Sequence, residues 1–134
     1  MDKKISDIVQ SVEKKDFTFF KELVDSLPNV LDVSFSINKD SLLLNDKILT
    51  IVCENEKLWK DLTLIHLSAF HNFIEGFKYL VQEKKIPINL PTKNKFLPLH
   101  YACISGSAEI SLYIFSEDPN EITYETSEDN ISIN

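Results

Sequence analysis

A chain of 134 residues, 43% of them hydrophobic, suits one domain with one core and is too short for two. Its formal net charge is −7 and all 14 basic residues are lysine, which argues against nucleic acid because the arginine fork that grips phosphate and guanine is missing. The two cysteines are far apart in sequence, which argues against a disulfide framework. The chain has no run of 18 apolar residues, which argues against membrane insertion. We therefore expect a cytoplasmic, intracellular protein.

The first part of the chain has no clear internal symmetry. An amphipathic segment over residues 5–26 is followed by an irregular stretch, 28–61, which contains a strand-like part (Val33–Ile37) and a helix-like part (Leu42–Trp59). Only two glycines occur, at positions 76 and 106, so no flexible linker separates domains. We therefore predict a single domain over residues 1–134.

A repeat becomes visible from residue 62 onward. The segment 63–72 (TLIHLSAFHN) aligns with 97–106 (LPLHYACISG) at an offset of 34 residues. Apolar residues recur at helical spacing within each segment and again after it, and the spacing is interrupted between the two parts, at Asn72 and at Gly106. This pattern predicts two helices per unit, with a turn between them at Asn72 or Gly106.

These residues resemble the ankyrin-repeat family, whose unit of about 33 residues contains Thr-Pro-Leu-His, two small residues, Gly and then Glu-Ile-Val. The segment 97–110 matches at Pro, Leu, His, Ala, Gly, Glu and Ile. The earlier copy keeps Thr63, His66 and Ala69 but has Asn72 in place of the glycine. Asparagine tolerates the left-handed backbone that this position requires, so we predict a positive φ at Asn72.

The resemblance implies an all-α fold, a short ankyrin-like helical solenoid with an irregular insert after the first helix pair. The predicted segments are a degenerate N-terminal repeat (5–26), the insert (28–61), a repeat (62–96), the start of a further repeat (97–115) and an acidic tail (116–134) that resembles the beginning of another repeat at its end. Glu75 and Glu109 fall at the start of second helices, where negative charge favours the helix dipole.

The end of the chain leaves three alternatives open. We interpret it as a truncated piece of a longer protein, because the last residues match those that lead into a new repeat. Alternatively, the acidic tail folds back over Ile110, Ile114 and Phe115, which we expect to be exposed on the far side of the last helix. The third alternative is self-association through this uncapped end.

Candidate chemistry is sparse. The resemblance assigns His66 and His100 a structural role, because this histidine ties the turn to the start of the helix. No pair of cysteines or histidines has the spacing of a zinc site, and no glycine-rich phosphate loop is present, so we predict no metal, no cofactor and no enzyme activity. Cys103 occupies a small-residue packing position and is expected to be buried. Trp59 is either an exposed binding aromatic or, as we favour, part of the core.

The resemblance implies a non-catalytic module that binds a protein partner through turn tips and the exposed face of first helices. The alternative is the targeting domain of a larger enzyme or effector whose catalytic part lies beyond residue 134. Leu67 beside Tyr101 and Phe70 beside Ile104 would form an apolar stripe, unless the insert 28–61 covers it. The positions carried over as partner-binding are Leu67, Phe70, His71, Lys93, Asn94, Lys95, Phe96, Tyr101, Ile104 and Ser105.

Overall fold

The computed structural model describes residues 3–37 and 55–117. Within these ranges the chain is helical and contains no strand, apart from one isolated bridge. This confirms the predicted all-α class. The helices are α1 (Lys3–Lys14), α2 (Phe17–Asp25), α3 (Leu64–Phe70), α4 (Ile74–Gln82), α5 (Pro98–Ser105) and α6 (Ala108–Glu117).

The helices form three consecutive pairs that stack on one another. The first helices of the last two pairs, α3 and α5, share the most extensive contact, and the second helices α2, α4 and α6 contact each other in that order. Helix α1 packs mainly on its own partner α2. One pair cannot bury its apolar stripe alone, so the stack supplies the core, as expected for an ankyrin-like solenoid.

The seam between α2 and α4 is closely packed. The rings of Phe20 and Phe73 meet edge to face with centroids 5.0 Å apart, and both side chains are buried. A Cβ at Gly76 would lie 2.6 Å from the Phe73 ring and 3.1 Å from the Phe20 ring. Gly76 is therefore the residue that allows these two helices to approach with two phenylalanines between them.

The turns inside the two clear units have the predicted backbone. Helix α3 ends at Phe70 and α4 begins at Ile74, and Asn72 between them has φ 54°. Gly106 occupies the same place between α5 and α6 with φ 73°. The prediction of a left-handed residue at Asn72 is confirmed, and its position shows that the two units share one turn geometry.

Local signals in the sequence explain where several helices begin. The Asp16 carboxylate accepts a hydrogen bond from the Phe19 N–H (3.2 Å) and caps α2. Pro98 stands in the first turn of α5, where its missing N–H costs nothing. Glu75 and Glu109 lie in the first turns of α4 and α6 as predicted, where they favour the helix dipole.

The described part of the insert is neither a strand nor an α-helix. The strand-like stretch forms one isolated bridge, in which Phe35 and Leu62 exchange two backbone hydrogen bonds (2.8 and 3.0 Å), and the Ile37 N–H donates to the Trp59 carbonyl (3.0 Å). The helix-like stretch is described from residue 55 onward, and there Glu56–Trp59 forms one 3₁₀ turn. The remainder of the helix-like prediction lies outside the described residues. Leu58 and Trp59 are buried, so this turn belongs to the core.

The last helix corrects one expectation. Ile110 and Ile114 are 0% exposed and belong to the main hydrophobic cluster, because α6 turns these residues towards α4 and α5. The exposed apolar residue of this helix is instead Leu112, at 67%. The predicted fold-back of the segment 117–134 lies outside the described residues from residue 118 onward, and self-association through this end remains a prediction.

Candidate protein-interaction surface

Residues 92–96 form a tight turn ahead of α5, which we call the tip. The Thr92 N–H donates to the Phe96 carbonyl (2.7 Å), and the Lys95 N–H donates to the Thr92 carbonyl (2.9 Å). The Thr92 hydroxyl accepts from the Phe96 N–H (3.0 Å) and is buried, while Lys93 and Lys95 are exposed. The tip is thus closed by three hydrogen bonds that leave the lysine side chains outside.

His66 connects α3 to the loop that leads to the tip. Its Nε2–H donates to the Leu90 carbonyl (2.7 Å), which leaves Nδ1 to accept from the Thr63 hydroxyl (2.8 Å) and the Thr63 N–H (3.2 Å). His100 repeats part of this arrangement, because its Nδ1 accepts from the Leu97 N–H at 2.7 Å. Both histidines tie a turn to a helix start, which is the structural role that the resemblance implied.

The environment of His66 favours the neutral imidazole. Burial lowers its pKa from 6.5 to about 4, against the opposing effect of the Leu90 carbonyl. The hydrogen-bond geometry also favours the neutral imidazole, because a proton on Nδ1 would face the Thr63 N–H, which can only donate. A histidine held in this way acts as a fixed hydrogen-bonding link between helix and loop.

The expected apolar stripe on the first helices is not open. Leu67 is 2% exposed and Tyr101 is 0% exposed, so the expectation that these two residues face a partner is wrong. Phe70 and Ile104 are half-buried, and His71 is half-buried beside Phe70. Of the residues carried over on the two helices, only Ser105 is exposed.

The insert explains why the first-helix face is not open. The Trp59 ring lies edge-on to Phe70 and Tyr101, with centroids 5.5 and 6.4 Å apart. The Tyr101 hydroxyl donates to the Leu58 carbonyl, and burial raises the pKa of Tyr101. Residues 58 and 59 therefore cover the face at these positions, which is the alternative left open from the sequence, and the preference for Trp59 as a core residue is confirmed.

The insert also touches the tip. The Asn94 side-chain amide donates to the Lys57 carbonyl at 3.1 Å. Lys57 is exposed, as are Lys93 and Lys95 on the other side of this hydrogen bond. The sequence did not reveal Lys57 as a surface residue beside the tip, because the insert has no counterpart in a repeat and its position could not be inferred from spacing.

Cys103 is exposed, which corrects the expectation of a buried thiol. Its counterpart 34 residues earlier, Ala69, is 0% exposed. Ala69 lies on α3, which packs against α5, whereas α5 and α6 form the last pair of the described residues. The small-residue position is the same in both units, but only the first has a described neighbour to cover it.

A comparison with protein-family models matches residues 9–125 to the model described as ankyrin repeats, three copies. The chain belongs to the ankyrin-repeat family. Neither curated proteins nor solved structures gave a significant match. The matched span begins within α1 and covers all of α2, so it includes most of the segment 5–26, which is predicted to be a degenerate repeat.

Ankyrin repeats are generally protein–protein interaction modules and are typically non-catalytic. Among residues 3–37 and 55–117, no three His, Cys, Asp or Glu side chains come together as a metal-binding group. No helix in the same ranges is long and apolar enough to cross a bilayer.

The second-helix side of this ankyrin domain carries a different cluster. The Tyr79 hydroxyl donates to the Asp25 carboxylate, which also pairs with Lys84 at 2.8 Å. The hydrogen bond to Asp25 raises the pKa of Tyr79 to about 12, and the contacts with Lys84 and Tyr79 lower the pKa of Asp25. The cluster joins α2 to α4 and the segment after it, and its acid and base satisfy each other.

Proposed function

We propose that this ankyrin domain binds a protein partner through the tip and the open part of the first-helix face. The residues concerned are those of the original assignment that remain accessible or half-buried: Phe70, His71, Lys93, Asn94, Lys95, Phe96, Ile104 and Ser105. Leu67 and Tyr101 leave this set because they are buried. The proposed role is non-catalytic, and the proposed location is intracellular.

The preorganised tip carries this proposal. A flexible loop loses conformational freedom when it binds, at a cost of about 0.5–1.5 kcal/mol for each side chain that is immobilised. Residues 92–96 are already closed by hydrogen bonds, and His66 holds the preceding loop through the Leu90 carbonyl. The exposed side chains of the tip therefore project from a fixed backbone, which favours their use in recognition.

Site-specific photo-crosslinking tests the surface without altering any lysine. A photoreactive phenylalanine derivative is placed at the exposed Ser105, and the protein is irradiated in an extract of its source cells. The control carries the same group at Thr18, an exposed residue on α2 on the second-helix side. We expect a discrete protein adduct from position 105 that excess unlabelled protein competes away, and none from position 18.

Two outcomes would contradict the proposal. If no adduct at position 105 is competed away by unlabelled protein, the partner does not contact the first-helix face. Equal adducts at positions 105 and 18 would show that contact is not confined to this face. Circular dichroism of both variants confirms that the modified proteins remain folded.

A further inference from the structure

The charge of the tip differs from that of the rest of the molecule. The chain has a formal net charge of −7, yet the segment 84–108 contains four lysines and no Asp or Glu. Two of those lysines, Lys93 and Lys95, lie on the tip, and both are exposed. A local excess of positive charge on an acidic protein attracts a partner of opposite charge.

A third lysine reaches the same place from the insert. The hydrogen bond between the Asn94 amide and the Lys57 carbonyl (3.1 Å) joins the two loops directly, so the Lys57 backbone lies against the residue between Lys93 and Lys95. The one ion pair found within residues 3–37 and 55–117 is between Lys84 and Asp25. In the described part of the chain, the ammonium groups of Lys57, Lys93 and Lys95 therefore have no carboxylate oxygen within 4.0 Å.

We propose that the tip lysines, Lys57, Lys93 and Lys95, recognise an acidic segment of the protein partner. The inference rests on the proposed function and adds the chemistry of what is bound. Carboxylates of an extended peptide would pair with the three ammonium groups. The half-buried Phe96 next to them offers an apolar contact for a side chain between the acids.

A protein segment fits the tip better than a nucleic acid does. Lysine is a point charge without the planar fork that binds phosphate in a bidentate manner, and the chain has no arginine. Glu56, which is exposed and adjacent to Lys57, would repel a dense row of phosphates but can be avoided by a peptide with spaced acids. Specificity by repulsion of this kind is common at interfaces.

Fluorescence anisotropy with the full chain provides the test. The probe is a short fluorescein-labelled peptide of glutamates around one leucine, with the matching glutamine peptide and an oligothymidylate as comparators. The tip variant carries Lys57→Gln, Lys93→Gln and Lys95→Gln. The control variant carries Lys3→Gln, Lys14→Gln and Lys78→Gln, which removes the same charge at three exposed sites elsewhere.

We expect the tip variant to bind the glutamate peptide about tenfold more weakly than the unmodified protein, because three exposed ion pairs are lost. The control variant should bind within about twofold, the glutamine peptide should not bind, and added salt should weaken the complex. Circular dichroism and urea unfolding verify that both variants fold.

Three results would overturn the inference. The first is an equal loss of affinity for the glutamate peptide in the tip and control variants. The second is tighter binding of the oligothymidylate than of the glutamate peptide. The third is tighter binding of a peptide of residues 117–134 than of the glutamate peptide, which would indicate the chain's own acidic tail as the occupant. A Ser105 photo-adduct that persists in the tip variant would show that the partner surface is correct while the charge recognition is not.

Discussion

Acidification to pH 5.5 should destabilise the fold through His66. The imidazole is 0% exposed, and its pKa falls to about 4 in the folded state from 6.5 in the unfolded state. The unfolded chain therefore binds more protons between these values, so stability is full above pH 6.5 and is lost as the pH falls towards 4. With 1.36 kcal/mol per pKa unit, the loss between pH 7.5 and 5.5 is about 1.4 kcal/mol.

Urea unfolding followed by circular dichroism measures this loss. With a urea slope of about 2 kcal/mol per molar, the midpoint should fall by roughly 0.7 M between the two pH values. A His66→Gln variant will be less stable throughout, but its midpoint should depend much less on pH. Burial also lowers the pKa of His71, so a His71→Gln variant serves as the control and should keep most of the dependence. At pH 5.5 the Asp25 carboxylate stays ionised, because its pKa lies below 3.8.

A loss of less than about 0.5 kcal/mol in the unmodified protein over this range would contradict the role of His66, because surface effects of that size are ordinary. The same pH dependence in His66→Gln as in the unmodified chain would also contradict it. In that event the Thr63–His66–Leu90 link would not hold the neutral imidazole in solution.

Three further experiments test separate parts of the structure. Trp59→Ala should reduce the free energy of unfolding by about 3–5 kcal/mol, because a large side chain leaves the core, whereas Trp59→Phe should cost less than half of that; urea unfolding by circular dichroism compares them. Asn72→Gly should raise the free energy of unfolding by about 0.5–1 kcal/mol, because it relieves a positive φ and removes a buried oxygen that has no partner in the described residues. Gly106→Ala should lower the free energy of unfolding by about 1 kcal/mol, and the opposite signs in urea unfolding would contradict the turn geometry. In a Cys53→Ser background, Cys103 should react with a thiol reagent within about tenfold of its rate in urea, and strong protection would contradict its exposure.

The fold was predictable where the chain repeats itself. The 34-residue offset placed Asn72 opposite Gly106, and this pairing was sufficient to predict a left-handed turn, because only a few residue types tolerate that backbone. The structural role of His66 was implied by the resemblance to ankyrin repeats. The turn at Asn72 and the hydrogen bonds between Thr63 and His66 depend on residues close in sequence, so they could be predicted without the tertiary structure, whereas the bond from His66 to the Leu90 carbonyl joins residues 24 positions apart.

Exposure was less predictable, because it depends on what packs against a residue. Ala69 and Cys103 occupy equivalent positions, yet one is buried and the other exposed. Tyr101 is covered by Leu58 and Trp59, which belong to a segment without a repeat counterpart. The orientation of the insert was not encoded in any periodic pattern, and its contact with the tip through Lys57 could not be inferred from spacing.

The insert also determines which surface a partner can use at low cost. A partner that reached Tyr101 would have to displace Leu58 and Trp59, which are 1% and 2% exposed. Exposing two such side chains costs about 1.5–3 kcal/mol each, and breaking the hydrogen bond from the Tyr101 hydroxyl to Leu58 adds about 1 kcal/mol. A total near 5 kcal/mol corresponds to a loss of more than about 10³ in affinity. The tip requires no such displacement, because its lysines are already exposed on a fixed backbone, so recognition through the tip is favoured over the face that the insert covers.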